Sequence, residues 1–185
     1  VVVSSDAVYG DVSGVITAKT PVSADSYYSA MCVMREVAAH EITSKATAVI
    51  RPTAIYGFGD SHNSYGPNRF IRTGLQDREI KIFGQGEASR DHVHISDVSK
   101  AIAHAITSKL DGTFNIASGS AISFQDVAKI VGEAIGDGVR FRSVGAESEV
   151  THRYMDLEDI KSWYPMFMPT SIESGVRRVV FELRE

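Results

Sequence analysis

Short β-branched or apolar runs alternate along this chain with segments whose apolar residues recur at helical spacing, and this alternation limits the fold more than any other feature. The runs are Val1–Val3, Thr47–Arg51, Ile80–Phe83, Thr113–Ala117 and a stretch around 139–142. The helical segments extend from about Ser26 to Thr43, from Arg69 to Gln76, onward from Asp97, from Ser123 to the glycines at 136 and 138, and from Ile172 to about Leu183. Strands that alternate with helices pair mainly in parallel, and the loops at their carboxyl ends form a crevice. The sequence therefore predicts an α/β protein. Val1–Val3 reads as a buried strand that delivers Ser4 and Ser5 at its carboxyl end, and no initiator Met precedes it. A central strand needs neighbours, so the sequence predicts that a βαβαβ half of a doubly wound sheet precedes Val1.

The helix boundaries follow from capping chemistry. Ser23 or Asp25 can cap the first helix, with Tyr28, Cys32, Val33, Val37 and Ala38 as candidate buried positions. Asp97 reads as the cap of a helix whose Val98, Ala101, Ile102, Ala105 and Ile106 form one apolar face. Ser123 to Asp126 approximates a capping box, Asp156 caps a short helix, and Thr170 to Glu173 forms a second box before the last helix. Residues 11 to 21 and 53 to 68 read as loops, the second rich in Gly, Asn, Ser and Pro and long enough to suggest a substrate-facing role.

Composition removes several function classes. A chain of 185 residues with 43% hydrophobic and 23% charged residues fits a globular domain with a real core. Its net charge of −4 and pI near 5.9 supply no basic stripe for nucleic acid. Cys32 is the single cysteine, so one chain has neither a disulfide framework nor a cysteine-based zinc site. His92 and His94 alternate on a strand with no third ligand in sight, which leaves them as strand residues and predicts no metal. No apolar run reaches the roughly 18 residues of a membrane span, and no signal-peptide pattern opens the chain. The expected location is cytoplasmic, with no membrane partner.

The stretch Gly84-Gln85-Gly86-Glu87-Ala88-Ser89-Arg90-Asp91 follows a strand directly. Glycines let backbone amides approach a ligand, and an arginine beyond them offers a planar fork of donors suited to phosphate. The pattern fits an anion site, such as a nucleotide diphosphate, or a plain strand, turn and strand with a solvated arginine.

Several motifs then fall in one order: Ser4-Ser5-x-x-Val8-Tyr9-Gly10; Tyr28 with Glu36 eight residues on; Arg51-Pro52-x-x-Ile55-Tyr56-Gly57; Gly84-x-Gly86-x-x-x-Arg90-Asp91-x-Val93-His94-x-x-Asp97; Phe114-Asn115-Ile116-Ala117-Ser118-Gly119; and Arg153-x-x-Asp156. Together they resemble the second half of the extended short-chain dehydrogenase/reductases, and within these the NAD-dependent nucleotide-sugar epimerases and dehydratases. The resemblance implies the last part of a doubly wound, Rossmann-type parallel sheet plus a smaller α/β substrate-binding domain. Residues 1–57 would be the C-terminal portion of the NAD(P)-binding domain. Residues 58–185 would mainly form the nucleotide-sugar domain, with some segments returning to the Rossmann sheet. The family's glycine-rich dinucleotide loop has no counterpart in residues 1–185.

The resemblance also implies roles. Tyr28 matches the tyrosine that acts as base on the sugar hydroxyl, and Ser5 the hydroxyl that assists it. Asp6 stands where a general acid is found in dehydratases, or it is a simple turn residue. Ala7, in place of the partner glutamate, weakens the dehydratase reading in favour of an epimerase or a ketosugar reductase, and the epimerase is preferred. Arg90 and Arg153 match arginines that clamp the diphosphate. Lys81 and Phe83 would flank the nucleobase, and Tyr28 with Pro52 would touch the cofactor, NAD in preference to NADP. The expected partner is a nucleoside-diphosphate sugar, and a homodimer is compatible with the family. One departure is central: the lysine that follows the tyrosine by four residues is Cys32 here. An unassisted phenol titrates near ~10, so only about one in a thousand is ionised at neutral pH. The alternative is therefore a catalytically silent or regulatory relative that binds a nucleotide sugar without turnover, and Tyr28 would then be a packed aromatic.

Overall fold

A computed structural model of the chain describes residues 1–42, 46–60, 66–145 and 150–185, and at 159 the backbone alone. Its first sheet has the strand order β1-β3-β7, formed by β1 (Val2–Val3), β3 (Ala48–Pro52) and β7 (Gly112–Ile116), all parallel. Against it pack α1 (Tyr27–Ile42) and α3 (Ile95–Thr107). The second region holds α2 (Gly66–Gln76), α4 (Phe124–Ile135) and α6 (Ile172–Glu182) against the parallel pair β5 (Glu79–Phe83) and β9 (Arg140–Val144). Between them runs β6 (Ser89–His94), parallel to β4 (Ala54–Tyr56) and antiparallel to β8 (Ala121–Ser123). A further parallel pair joins β2 (Gly14–Ile16) to β10 (Arg153–Met155), and α5 (Leu157–Trp163) follows it. The expected α/β class with mainly parallel pairing is what the chain adopts, since β6–β8 is the one antiparallel ladder among the described residues.

The core divides along the same lines. One cluster gathers Phe70, Ile71, Ile80, Val127, Val131 and Val176 between α2, α4, α6 and β5. A second gathers Ile50, Val93, Val98, Ala101 and Ile116 with Trp163 from α5. A third encloses Tyr9, Ile16, Cys32 and Met155, where α1 meets a short 3-10 turn at Asp6–Tyr9.

Several expectations need correction. β1 pairs with β3 among the described residues, and Val1 and Val3 are 49% and 38% exposed. The segment from 11 to 21 contains β2, which no local apolar alternation announces because its partner β10 lies about 140 residues away in sequence. The segment from 53 to 68 contains β4, and α2 begins at Gly66, three residues before its predicted start; residues 61–65 of that loop lie outside the described residues.

On α1 the buried face is Ser29, Cys32 and Glu36, while Tyr28, Val37 and Ala38 are exposed. Its predicted end at Thr43 lies outside the described residues, and its first turn is capped by Ser26, whose Oγ accepts from the Ser29 amide at 3.1 Å. His94, not Asp97, caps α3 through its ring nitrogen, and Asp97 instead accepts the Thr170 amide at 2.7 Å and Lys100 at 3.1 Å. Ser171, not Thr170, caps α6. In both corrected cases the carboxylate or hydroxyl closest to a capping pattern is drawn to a long-range partner that the local sequence does not display.

A buried polar network crosses the first sheet. The Arg51 guanidinium makes a bidentate pair with Glu36, at 2.9 and 2.6 Å, and donates to the Tyr9 hydroxyl at 3.1 Å. Tyr9 donates onward to Asn115, and Ser4 donates to Glu36. Burial alone would raise the Glu36 carboxyl, but hydrogen bonds from Arg51 and Ser4 prevail and hold it below its ordinary range. The network fixes α1, β1, β3, β7 and the turn carrying Asp6 to one another.

Candidate active site

Three strands deliver the predicted polar residues to one place. Ser5 follows β1 and opens the 3-10 turn, where its Oγ accepts from the Ala7 amide at 3.2 Å and donates to Asp6 at 3.4 Å. Arg153 on β10 donates from Nη2 to the Asp6 carbonyl at 3.0 Å and lies 3.5 Å from its carboxylate. Burial raises the Asp6 carboxyl above its ordinary range, against the opposing pull of Arg153 and, more weakly, Arg90. The Arg153 Nε is buried and has no hydrogen-bond partner. A buried unpaired donor is costly, and native folds leave few of them.

Arg90 on the neighbouring β6 donates from Nη1 to the Ser89 and Thr151 carbonyls, at 3.0 and 2.8 Å, and from Nη2 to the Thr151 hydroxyl at 2.6 Å. It is thus fixed in place and not a waving surface cation. It forms part of the wall of a cleft of about 430 Å³, with Arg69, Lys81, Phe83, Phe124 and the turn 84–88. In that cleft the Arg69 guanidinium sits 5.4 Å from the centre of the Phe83 ring. A cation stacked on an aromatic that is 65% exposed makes a platform for a planar, electron-rich ring.

Sequence reasoning missed Arg69. The available signal was its place in the first turn of α2, where a cation opposes the helix dipole unless something offsets it.

The glycines of the turn act differently from expectation. The Gly84 amide donates to Val144 and the Gly86 amide to Phe83, so neither is directed into the cleft. A Cβ at Gly86, where φ is +75°, would lie 2.6 Å from Ile82 and 2.8 Å from the Gln125 amide. The glycine lets the turn lie flat against the start of α4. Asp91, beside Arg90, has a structural partner set: it accepts from the Ser118 amide and hydroxyl and from the Gly119 amide, at 2.7, 2.9 and 2.6 Å.

Ser5, Asp6 and Arg153 do not line this cleft, and the remaining predicted residues lie apart from it as well. Tyr28 is in the first turn of α1 and 54% exposed. Cys32, one turn on, is fully buried, and Arg35 covers it with Nη2 3.9 Å from Sγ while Nη1 donates to the Val3 carbonyl at 2.6 Å. Pro52 is buried at the end of β3 in register with Ile116. His92 and His94 are both buried on β6, and no cluster of three metal-binding side chains occurs among the described residues. No helix among them is long and apolar enough to cross a membrane.

The chain is thus an α/β fold of mainly parallel pairing that carries an arginine- and aromatic-lined cleft. Residues 1–117 match the model of the NAD dependent epimerase/dehydratase family, and the chain belongs to that family. It is 28% identical over 143 residues to dTDP-L-rhamnose 4-epimerase from Burkholderia thailandensis, covering 72% of this chain and 39% of that protein. It is 26% identical over 142 residues to UDP-N-acetyl-alpha-D-glucosaminuronate decarboxylase from Bacillus cytotoxicus, covering 66% and 44%. The chain thus spans less than half the length of these curated relatives. Among solved structures, UDP-N-acetylglucosamine 4-epimerase from Methanobrevibacter ruminantium, in complex with UDP-N-acetylmuramic acid, superposes with a TM-score of 0.86. That match has 21% identity and covers all of this chain and 63% of the other, which establishes the shared fold.

Proposed function

We propose that the protein is an NAD(P)-dependent epimerase of a nucleoside-diphosphate sugar, with NAD as the cofactor. The observation that carries this reading is the cleft whose wall joins the Phe83–Arg69 platform to the fixed guanidinium of Arg90. Lys81 and Phe83 flank the nucleobase, and Arg90 with Arg153 holds the diphosphate, the second through its unpartnered Nε. Ser5 orients the sugar hydroxyl, Tyr28 removes its proton, and Asp6, raised by burial, supplies a hydrogen bond or proton on the other side. The cofactor, when bound, accepts and returns a hydride. Tyr28 and Pro52 are this chain's contribution to its site, with residues 1–57 as the end of the cofactor domain and 58–185 as mainly the sugar-nucleotide domain. Relatives of known structure support the cofactor and ligand class: one is MoeE5 in complex with UDP-glucose and NAD. The same reading places the protein in the cytoplasm and allows a homodimer through α1, whose outer face carries exposed Tyr27, Met31 and Met34.

A thermal-shift panel of UDP-, dTDP-, GDP- and ADP-sugars tests the proposal. One nucleotide should stabilise the protein, and no response to any of them sinks the reading. The silent alternative rests on one observation, the uncharged and fully buried Cys32 one helical turn after Tyr28. Activity that emerges only in Cys32→Lys, from a parent without turnover, favours it.

A further inference from the structure

A second cavity, of about 220 Å³, lies between β8 and the start of α6, with His92, Ser118, Ser120, Ile122, Thr170 and Glu173 in its wall. His92 is 3% exposed, and neither of its ring nitrogens has a hydrogen-bond partner. Burial, reinforced by Arg90, lowers its pKa to about 4, so at neutral pH one nitrogen donates and the other accepts. The 11-residue helix α6 opens at the same cavity. Its cap, Ser171, accepts from the Ser174 amide, which leaves the first amides of the helix without intrahelical partners. The hydroxyl wall is held in place from behind, Ser118 by Asp91 and Thr170 by Asp97.

Charge selects the ligand. Three carboxylates, Asp91, Asp97 and Glu173, stand behind or at the rim of this wall, and no lysine or arginine lines it. Arg90 acts on His92 from behind this wall, but the three carboxylates outnumber it and disfavour an anion despite the helix terminus. Among the described residues a metal ion would find Glu173 and a neutral imidazole but no third ligand of that kind. A neutral molecule bearing adjacent hydroxyls meets a donor and an acceptor on His92 and donors at α6, while Ala121, Ile122 and Pro169 receive its carbon chain. We infer that this cavity binds a small neutral polyol of three or four carbons, with His92 as its buried hydrogen-bonding partner. The site does not depend on the nucleotide reading, although the His92 ring also meets Phe124 of the nucleotide cleft edge-on at 5.7 Å.

The test titrates the protein, labelled with ¹⁵N in its imidazole rings, with glycerol and with erythritol. His92 is assigned by the resonance missing in His92→Phe, and sucrose, too large to enter, controls for bulk cosolvent. The expected result is a saturable shift of the His92 nitrogens with either polyol and none with sucrose. Ala121→Leu keeps the reporter ring and fills the cavity from β8, and it should weaken the apparent affinity at least about tenfold. A linear, non-saturating response, equal responses to polyol and sucrose, or an unchanged affinity in Ala121→Leu means that the cavity holds ordered water only, and overturns the proposal.

Discussion

His92 shows how one side chain's surroundings decide its chemistry. Its ordinary pKa of 6.5 is lowered to about 4, chiefly by burial and then by Arg90. Between those values the unfolded chain takes up a proton that the folded chain refuses, so the unfolded state binds more protons and stability rises with pH. The contribution is complete above pH 6.5 and is lost as the pH falls towards 4. A shift of this size corresponds to about 3 kcal/mol. Urea denaturation across that pH range should therefore show the wild type losing stability more steeply than His92→Phe. Parallel pH profiles for the two proteins would refute the assignment.

Gly86 is a second residue-scale case. With φ at +75° and a virtual Cβ 2.8 Å from the Gln125 amide, Gly86→Ala must displace either the turn or the start of α4. A loss of about 1–3 kcal/mol is expected, with weaker nucleotide binding because the turn lines the cleft. Chemical denaturation of the variant checks the first effect and calorimetric titration the second.

At the scale of elements, Glu36 and Arg51 do what neither helix propensity nor strand pairing can: they join α1 to β3 through two short charge-assisted bonds. Both groups are nearly excluded from solvent, with 10% and 7% of their side chains exposed, so breaking the pair leaves a buried charge unmatched. Glu36→Gln should cost about 3–5 kcal/mol, read as a fall in the unfolding midpoint. A change of only a few tenths would show that the tie is dispensable. Both residues were visible in the sequence as members of ordered motifs, but their pairing was not, because 15 positions and a helix-to-strand connection separate them. The same limit misassigned two caps. Asp97 and Thr170 each carry a capping side chain, yet in the folded chain they bond to each other.

For the whole molecule, the cleft is the unit that matters, and the proposal divides it into a base end and a diphosphate end. Phe83→Ala removes the ring at the base end while Arg90 keeps its anchors on Thr151. Loss of aromatic stacking on a base is worth about 1–3 kcal/mol. The variant should therefore bind a nucleoside diphosphate about 5- to 150-fold more weakly, with inorganic pyrophosphate unaffected, as measured by calorimetry. Equal weakening of both ligands would contradict the division.

The strand and helix alternation by itself determined the α/β class, and the ordered motifs singled out Ser5, Asp6, Arg90 and Arg153 before any geometry was known. Local rules of this kind depend on period, turn and cap, which a sequence displays directly. Only the tertiary structure decided the rest. It showed that β2 exists because β10 comes to it, that Arg153 bonds to Asp6, and that Arg69 lies over Phe83. It also showed that Tyr28 faces outward and that Cys32 lies sealed beneath Arg35. Most of these depend on pairings between residues far apart in the chain, and burial is a property of the assembled fold that no local pattern contains.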